Sequence, residues 1–416
     1  MIQTTHKQLD WMDVVSKRGS SIQHCYSLLF RQEIWILAYQ QTYHKRITES
    51  ALQEINSYIF KLKKMFHQLI KKNYTFYLGH NLLENRLLIE VIGIILKKIY
   101  QPLFDANGIK NCELETMQWI KNIKKKVTWF YSGQFSLTPS DINRLLMNQL
   151  RYKLDDEAFI SLIYYIFKRV ANKISKTPYT FNSFYYLLVD IAFLEWDKLM
   201  SFSPGKQQDI NEKSYEVRPC LYVRYKQHFI CGYHTSKQMA KKHLEANLQK
   251  IKTPLYHPRS KWSHWQKYLS FLDYNVTFQP KKDPSIQLSK AATSRLLALY
   301  ANVTNSTILH RPSLVHKTEF EIIRMFNKEL IQMAERYYFV DNFYVLDKIH
   351  YFAKSSLIKT IASKRKTTSK KVTLELKKNP YHRLGIYTKK NGKDSWYGFI
   401  SFKELRTIQS NKKRIL

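Results

Sequence analysis

The groups best suited to chemistry in this chain are cations and hydroxyls crowded towards its C-terminal end. From Ile361 to Lys378 there are seven basic residues against one acid, Glu375, and the densest part holds Lys364, Arg365, Lys366, Lys370 and Lys371. Thr367, Thr368 and Ser369 lie between them. Ammonium and guanidinium groups neutralise phosphates and hydroxyls donate to phosphate oxygens, so this grouping fits contact with the backbone of a polyanion. Immediately upstream, Lys348, His350, Tyr351, Lys354 and Lys359 extend the set and add an aromatic ring that can stack on a base. A second cluster, Lys61, Lys63, Lys64, Lys71 and Lys72, stands near the N-terminus, where phosphate contact would add affinity without sequence discrimination. Taken alone, a basic run of this kind more often forms a solvated helix face, so context decides its meaning.

Nucleophilic and metal chemistry have less to work with. Cys25, Cys112, Cys220 and Cys231 are scattered with no C-x-x-C pair, which indicates neither a zinc site nor a disulfide framework. His228, Cys231 and His234 are close in sequence, but residues 228 and 231 on one strand point to opposite faces, so they read as structural. No metal and no cofactor is expected. Asp190 and Glu195 are the carboxylates available to a displaced active site, and they fall on an apolar helical pattern. Arg336, Tyr337 and Tyr338 are weaker candidates, because two adjacent tyrosines also serve to pack a helix.

The whole chain is strongly basic, with 68 Lys and Arg against 32 Asp and Glu in 416 residues and a formal charge of +36. Hydrophobic residues make up 44% of it, so the charge decorates a folded protein and wholesale disorder is ruled out. Nucleic acid is the commonest partner for such an excess. The longest apolar runs, such as Leu87 to Leu96, are about ten residues, short of the roughly 20 that span a bilayer, so no membrane partner is expected. At about 150 residues per domain the length suggests two or three domains. Abundant Lys, Ile, Asn, Tyr and Phe reflect A+T-rich codons, and no apolar signal core follows Met1. Together these suggest a protein made where it works, in a reducing compartment of an organelle or in an A+T-rich bacterium.

The elements that must position these groups are legible in the hydrophobic periodicity. Helical patterns run through Ile34, Leu37 and Ala38, through Leu52, Ile55, Ile59, Leu62 and Phe66, and from Asn85 to Phe104, where Pro102 and Asn107-Gly108 signal a stop. A strand is expected at Val127 to Tyr131, then a helix capped by Ser140. Phe184 to Leu199 reads as one helix and Ser203 to Lys213 as a polar loop. Residues 220–225 and 228–233 form a hairpin pattern, and Lys237 to Ile251 a basic helix. Beyond Pro280 the pattern becomes helical, with Arg295 to Tyr300, Glu319 to Tyr338 and Val345 to Ile361 the clearest segments. In the last, Leu346, Ile349, Ala353, Leu357 and Ile361 share an arc, opposite Lys348, Ser355 and Lys359.

In this order the pieces resemble group II intron reverse transcriptase-maturases, from about Ser27 to Lys371. The likeness rests on Glu33-Ile-Trp-Ile-Leu-Ala-Tyr-Gln, on residues 85–92 with Ile99-Tyr-Gln-Pro-Leu-Phe, on Phe184 to Met200, on Tyr222-Val-Arg-Tyr, and on Asp341-Asn-Phe-Tyr-Val-Leu-Asp-Lys-Ile-His-Tyr with its continuation from Ser356. The resemblance implies an α+β fold, a degenerate reverse-transcriptase fingers and palm followed by an α-helical thumb and maturase domain. Its expected boundaries are an N-terminal extension at 1–75, fingers and palm at 76–280, thumb and maturase domain at 281–378, and a short basic tail at 379–416.

The departures from the family are as informative. Where family members carry Tyr-Ala-Asp-Asp, this chain has Tyr225-Lys226-Gln227-His228, and no Asp or Glu occurs between Glu115 and Asp141, where a further metal-binding Asp is expected. Two-metal polymerase chemistry needs those carboxylates. The Pro-Gln-Gly turn of the nucleotide pocket is replaced by Thr177-Pro178-Tyr179-Thr180-Phe181-Asn182, and the tail lacks the paired cysteines of the endonuclease module. The resemblance therefore implies a degenerate, plastid-type maturase that is not an enzyme, binds intron RNA and assists its splicing. A mitochondrion or a bacterial cytoplasm is the alternative setting. The competing functions are a structural component of a larger ribonucleoprotein, with Tyr164, Tyr165, Tyr185 and Tyr186 as interface anchors, and an active reverse transcriptase using Asp190 or Glu195. The intron served and the oligomeric state leave no trace in the sequence.

Overall fold

The structure, a computed structural model, describes residues 21–43, 47–70, 82–107, 109–110, 112–123, 127–136, 138–171, 179–201, 218–252, 260–279, 282–302, 304–390 and 393–414. The chain divides into two compact units, one of residues 1–116 with 125–263 and one of residues 117–124 with 264–416. Both mix helix and sheet, an α+β composition.

In the first unit, helices α1 (Gln32–Tyr43), α2 (Glu49–Ile70) and α3 (Leu82–Ala106) carry the apolar stripes expected of them, and α4 (Glu113–Lys121) begins here. Ile55, Ile59 and Leu62 bury one face of α2. Helix α3 is apolar almost all round, as a helix enclosed by neighbours must be. It packs between α1 and α7 (Tyr179–Ala192), with Leu87, Leu88, Val91, Ile95 and Ile99 buried. Pro102 does not end it: the helix runs through to Ala106, where the Asn107 amide donates to the Leu103 carbonyl at 2.7 Å and satisfies the last turn.

Strand β1 (Trp129–Gln134) lies slightly later than expected and leads into α5 (Pro139–Lys153). The cap of α5 is Thr138, not Ser140, because Pro139 is preorganised for the first helical position and sets the register. Helix α6 (Glu157–Ala171) follows. The segment read as one helix from Phe184 breaks at Phe193 (φ −91°, ψ 6°) into α7 and the short α8 (Leu194–Met200). Strands β2 (Leu221–Tyr225) and β3 (His228–Tyr233) pair antiparallel across a two-residue turn, as expected, and α9 (Lys237–Ile251) has the expected limits. With β4 (Lys261–His264) they form a four-stranded sheet in the order β2-β3-β1-β4. The loop expected at Ser203 to Lys213 and the turn at Thr177 lie outside the described residues, apart from Tyr179 onward.

In the second unit the helical pattern expected beyond Pro280 is interrupted by a strand at Lys282–Leu288 and by the C-terminal hairpin, while two further strands precede it. Strands β5 (Leu269–Phe271), β6 (Tyr274–Gln279) and β7 (Lys282–Leu288) form an antiparallel meander. Pro284 hides β7 in the sequence, yet β7 is an edge strand, where a missing N–H is tolerated. Asp341 and Asn342 cover that edge: Asp341 accepts from the Ile286 amide at 2.9 Å, and Asn342 accepts from the Leu288 amide at 2.8 Å and donates to its carbonyl. Helix α10 (Lys290–Leu297) begins five residues before Arg295, capped by Ser289. Helix α11 (Glu319–Arg336) opens on a Thr318/Glu321 capping box, and α12 (Val345–Lys364) and α13 (Ser369–Leu376) follow. Residues 379–414, expected as a basic tail, fold into a hairpin of β8 (Gly385–Lys390) and β9 (Lys393–Gly398) and a helix, α14 (Phe402–Arg414), packed on α11.

Candidate nucleic-acid interface

Within the first unit, the β2–β3 turn places Tyr225-Lys226-Gln227-His228 at the end of the sheet. Lys226 takes a left-handed conformation (φ 55°) and its ammonium sits 3.9 Å from the centre of the Tyr186 ring and 5.1 Å from that of Tyr225, a cation–π cradle. Behind the turn Arg224 is fully buried. Its guanidinium donates to both Asp197 oxygens and to Asp190 Oδ1, each at 2.7 Å, and to the carbonyls of Lys226 and Asp190. Tyr222 donates its hydroxyl to the same Asp197 carboxylate.

Burial pushes the Asp190 carboxyl up to about 6 and opposes the pull of Arg224, and burial raises Asp197 and Tyr222 as well. Burial also works against the charge on Arg224, but the attraction of Asp197 and Asp190 outweighs it and holds the guanidinium protonated. Asp190, one candidate for a displaced active site, is thus bonded to Arg224, while Glu195 is exposed on α8. His228 and Cys231 do lie on one strand, with Cys231 buried in the core and burial holding its thiol well above the ordinary range. Among the described residues no three His, Cys, Asp or Glu side chains gather into a metal-binding group.

Within the second unit, α12 carries the main cluster. Leu346, Ile349, Ala353, Leu357 and Ile361 are buried as the periodicity predicts. A polar seam also runs along the helix and grips the segment of residues 308–315. Ser356 donates to the Leu309 carbonyl, Thr360 accepts from the Arg311 amide, Lys359 donates to the Ile308 carbonyl at 3.0 Å and Lys364 to that of Val315 at 3.1 Å. Arg365 is held harder still, forked onto Glu319 at 2.6 Å and paired with Glu375, and the Glu319 hydrogen bonds raise its pKa above the ordinary value. His350 donates from Nε2 to the Ile400 carbonyl at 2.8 Å and stacks on Phe399, and burial lowers its pKa. His350, Lys359, Lys364 and Arg365 therefore have structural work inside the unit.

The rest of the cluster faces outward. Lys348, Tyr351, Lys366, Lys370 and Lys371 are exposed and Lys354 is half-buried. Lys366 occupies the left-handed position (φ 49°) that ends α12, and Lys370 and Lys371 lie in the first turn of α13, capped by Thr368. Beside Lys348 opens a cleft of about 710 Å³, with Lys290 and Tyr344 also on its wall and Leu297, Val345 and Phe352 as apolar lining.

The other candidates separate clearly. Lys61 and Lys63 are exposed on α2, their ammonium groups each 5.7 Å from the ring centres of Tyr58 and Phe30. The side chain of Lys64, and Lys71 and Lys72 altogether, lie outside the described residues. Tyr337 and Tyr338 are buried, so they pack the end of α11. Of the four tyrosines considered as anchors, Tyr185 is buried against Phe167 and Tyr164 is exposed. Sequence reasoning missed the Arg224 network and the folded C-terminal hairpin.

One comparison bears on what such a surface meets. The chain is similar to the group II intron-encoded protein LtrA of Lactococcus lactis subsp. cremoris. The two are 24% identical over an alignment 504 positions long, gaps included, covering 92% of this chain and 81% of LtrA, and LtrA of strain MG1363 matches equally. No protein-family model matches the chain. The similarity to LtrA extends over most of the sequence, so it takes in both the β2–β3 turn unit and the basic helical unit.

Proposed function

We propose that this chain is an RNA-binding intron maturase, which assists folding and splicing of a group II or related reduced intron and has no polymerase activity of its own. The observation that carries the reading is the chemistry at the β2–β3 turn. Nucleotide addition needs two divalent cations held by carboxylates at the 3′-hydroxyl and the triphosphate. At the turn the ammonium of Lys226 lies in an aromatic cradle, and the half-buried Asp190 and the buried Asp197 are bonded to Arg224. Neither β1 nor the hairpin supplies another Asp or Glu.

Similarity to a group II intron-encoded protein supports intron RNA as the partner. Folding such an RNA brings phosphates together against their repulsion, and lysines that neutralise them lower that barrier while the RNA performs its own transesterifications. The outward residues of α12 and α13, Lys348, Tyr351, Lys354, Lys366, Lys370 and Lys371, are suited to this, and Lys61 and Lys63 to auxiliary anchoring.

The test is incorporation of nucleotides on a primed RNA template with magnesium or manganese. None is expected. Incorporation that disappears in Asp190→Asn would contradict the proposal and favour a displaced catalytic site.

A further inference from the structure

The C-terminal hairpin presents an aromatic cluster that nothing above accounts for. Tyr387 and Trp396 are directly paired across β8 and β9, so they share one face. On the other face Tyr397 packs against Phe320 of α11, 4.8 Å between ring centres. The Trp396 indole lies over Gly385 and Gly398: a Cβ at either would stand 2.7 Å or 2.1 Å from an indole atom, so only glycine leaves room for the ring to lie flat. Tyr381 covers the indole at 4.7 Å with 37° between planes, and the Arg383 guanidinium stands 5.6 Å from its centre.

This surface is rigidly held. Asn379 accepts from the Tyr381 and Arg383 amides and donates to the Leu376 and Arg383 carbonyls, which fixes the loop carrying Tyr381. Asn327 of α11 donates to the Gly398 carbonyl and accepts from the Ile400 amide, which fixes the end of β9. Tyr381 and Tyr387 are nevertheless 60% and 55% exposed, so two rings held on one folded hairpin and its adjoining loop stay open to a planar ligand. The surroundings choose the ligand: residues 379–416 hold nine Lys and Arg against Asp394 and Glu404, and Glu404 is already taken by Arg383 and Ser401.

We propose that Tyr381 and Tyr387, set by the Trp396 indole that Tyr381 covers, form a stacking platform for unpaired bases of single-stranded RNA, with the cations of this segment tracking its phosphates. The inference rests on the RNA-binding reading and adds a second, chemically different contact to it. Base stacking on aromatic rings tolerates any sequence and releases no counterions.

The test measures binding of the full chain to an unstructured RNA oligomer and to an RNA duplex across a salt series. Tyr381→Ala with Tyr387→Ala should weaken single-strand binding about tenfold or more, leave the slope of log affinity against log salt unchanged, and spare the duplex. Tyr381→Phe with Tyr387→Phe, which keeps the rings, should retain wild-type affinity, and matched thermal melts of both variants exclude misfolding. Undiminished single-strand binding by the alanine pair, or an equal loss on the duplex, would overturn the platform alone. Loss of a co-purifying protein with RNA binding intact would overturn it in favour of a protein contact. A wild-type chain that binds neither RNA would overturn the RNA-binding reading as well.

Discussion

Arg224, fully buried, and His350, half-buried, show how single groups in this chain are committed. Arg224 balances the half-buried Asp190 and the fully buried Asp197, so removing it leaves the Asp197 charge uncompensated. Arg224→Met should cost about 3–5 kcal/mol, read as a fall in the urea midpoint. None of this was legible in the sequence, because Arg224 stands 34 and 27 positions from Asp190 and Asp197 and no periodicity links them. His350 was read as an RNA contact for its place beside Lys348, but its Nε2–H is bonded to the Ile400 carbonyl and its ring is stacked. Its pKa is depressed below the ordinary 6.5, so its neutral form favours the fold above that pH, and the contribution is lost as pH falls through the folded value. Thermal melts should therefore drop on acidification below pH 6.5. His350→Gln, which keeps a donor for Ile400 and does not titrate, should lack that part of the drop.

At the scale of elements, α12 does two jobs with one helix. Its apolar arc was legible because a period of 3.6 is local, and the same holds for the β2–β3 hairpin and α9. Its polar seam was not, because Ser356, Lys359, Thr360 and Lys364 bind a segment almost 50 residues earlier in the sequence. Strand β7 was hidden by Pro284, which is admissible only because its strand is at an edge. The turn from α12 to α13 separates charge from conformation at one residue. Lys366 sits where glycine is usually favoured, so Lys366→Gly should be at least as stable as wild type. If the side chain meets a phosphate, both Lys366→Gly and Lys366→Ala should reduce the RNA-binding salt slope by about 0.7–0.9. Unchanged slopes in filter binding would remove Lys366 from the interface.

For the molecule as a whole, a charge of +36 and similarity to LtrA across both units point the same way. The second unit offers outward lysines on a helix that its own polar seam keeps in place, and the first offers a turn without carboxylates, behind which Asp190 and Asp197 of α7 and α8 are bonded to Arg224. No helix among the described residues is long and apolar enough to cross a membrane. Charge was legible from composition and much of the core from periodicity, whereas which lysines remain outward depended on the fold. The most direct test is to crosslink the protein to RNA in its native cells and sequence the attached RNA, for wild type and for a variant with Lys348, Lys354, Lys366, Lys370 and Lys371 changed to Ala. The account predicts wild-type reads concentrated on unspliced introns and depleted in the variant; reads spread over ribosomal and messenger RNA with no intron enrichment would contradict it.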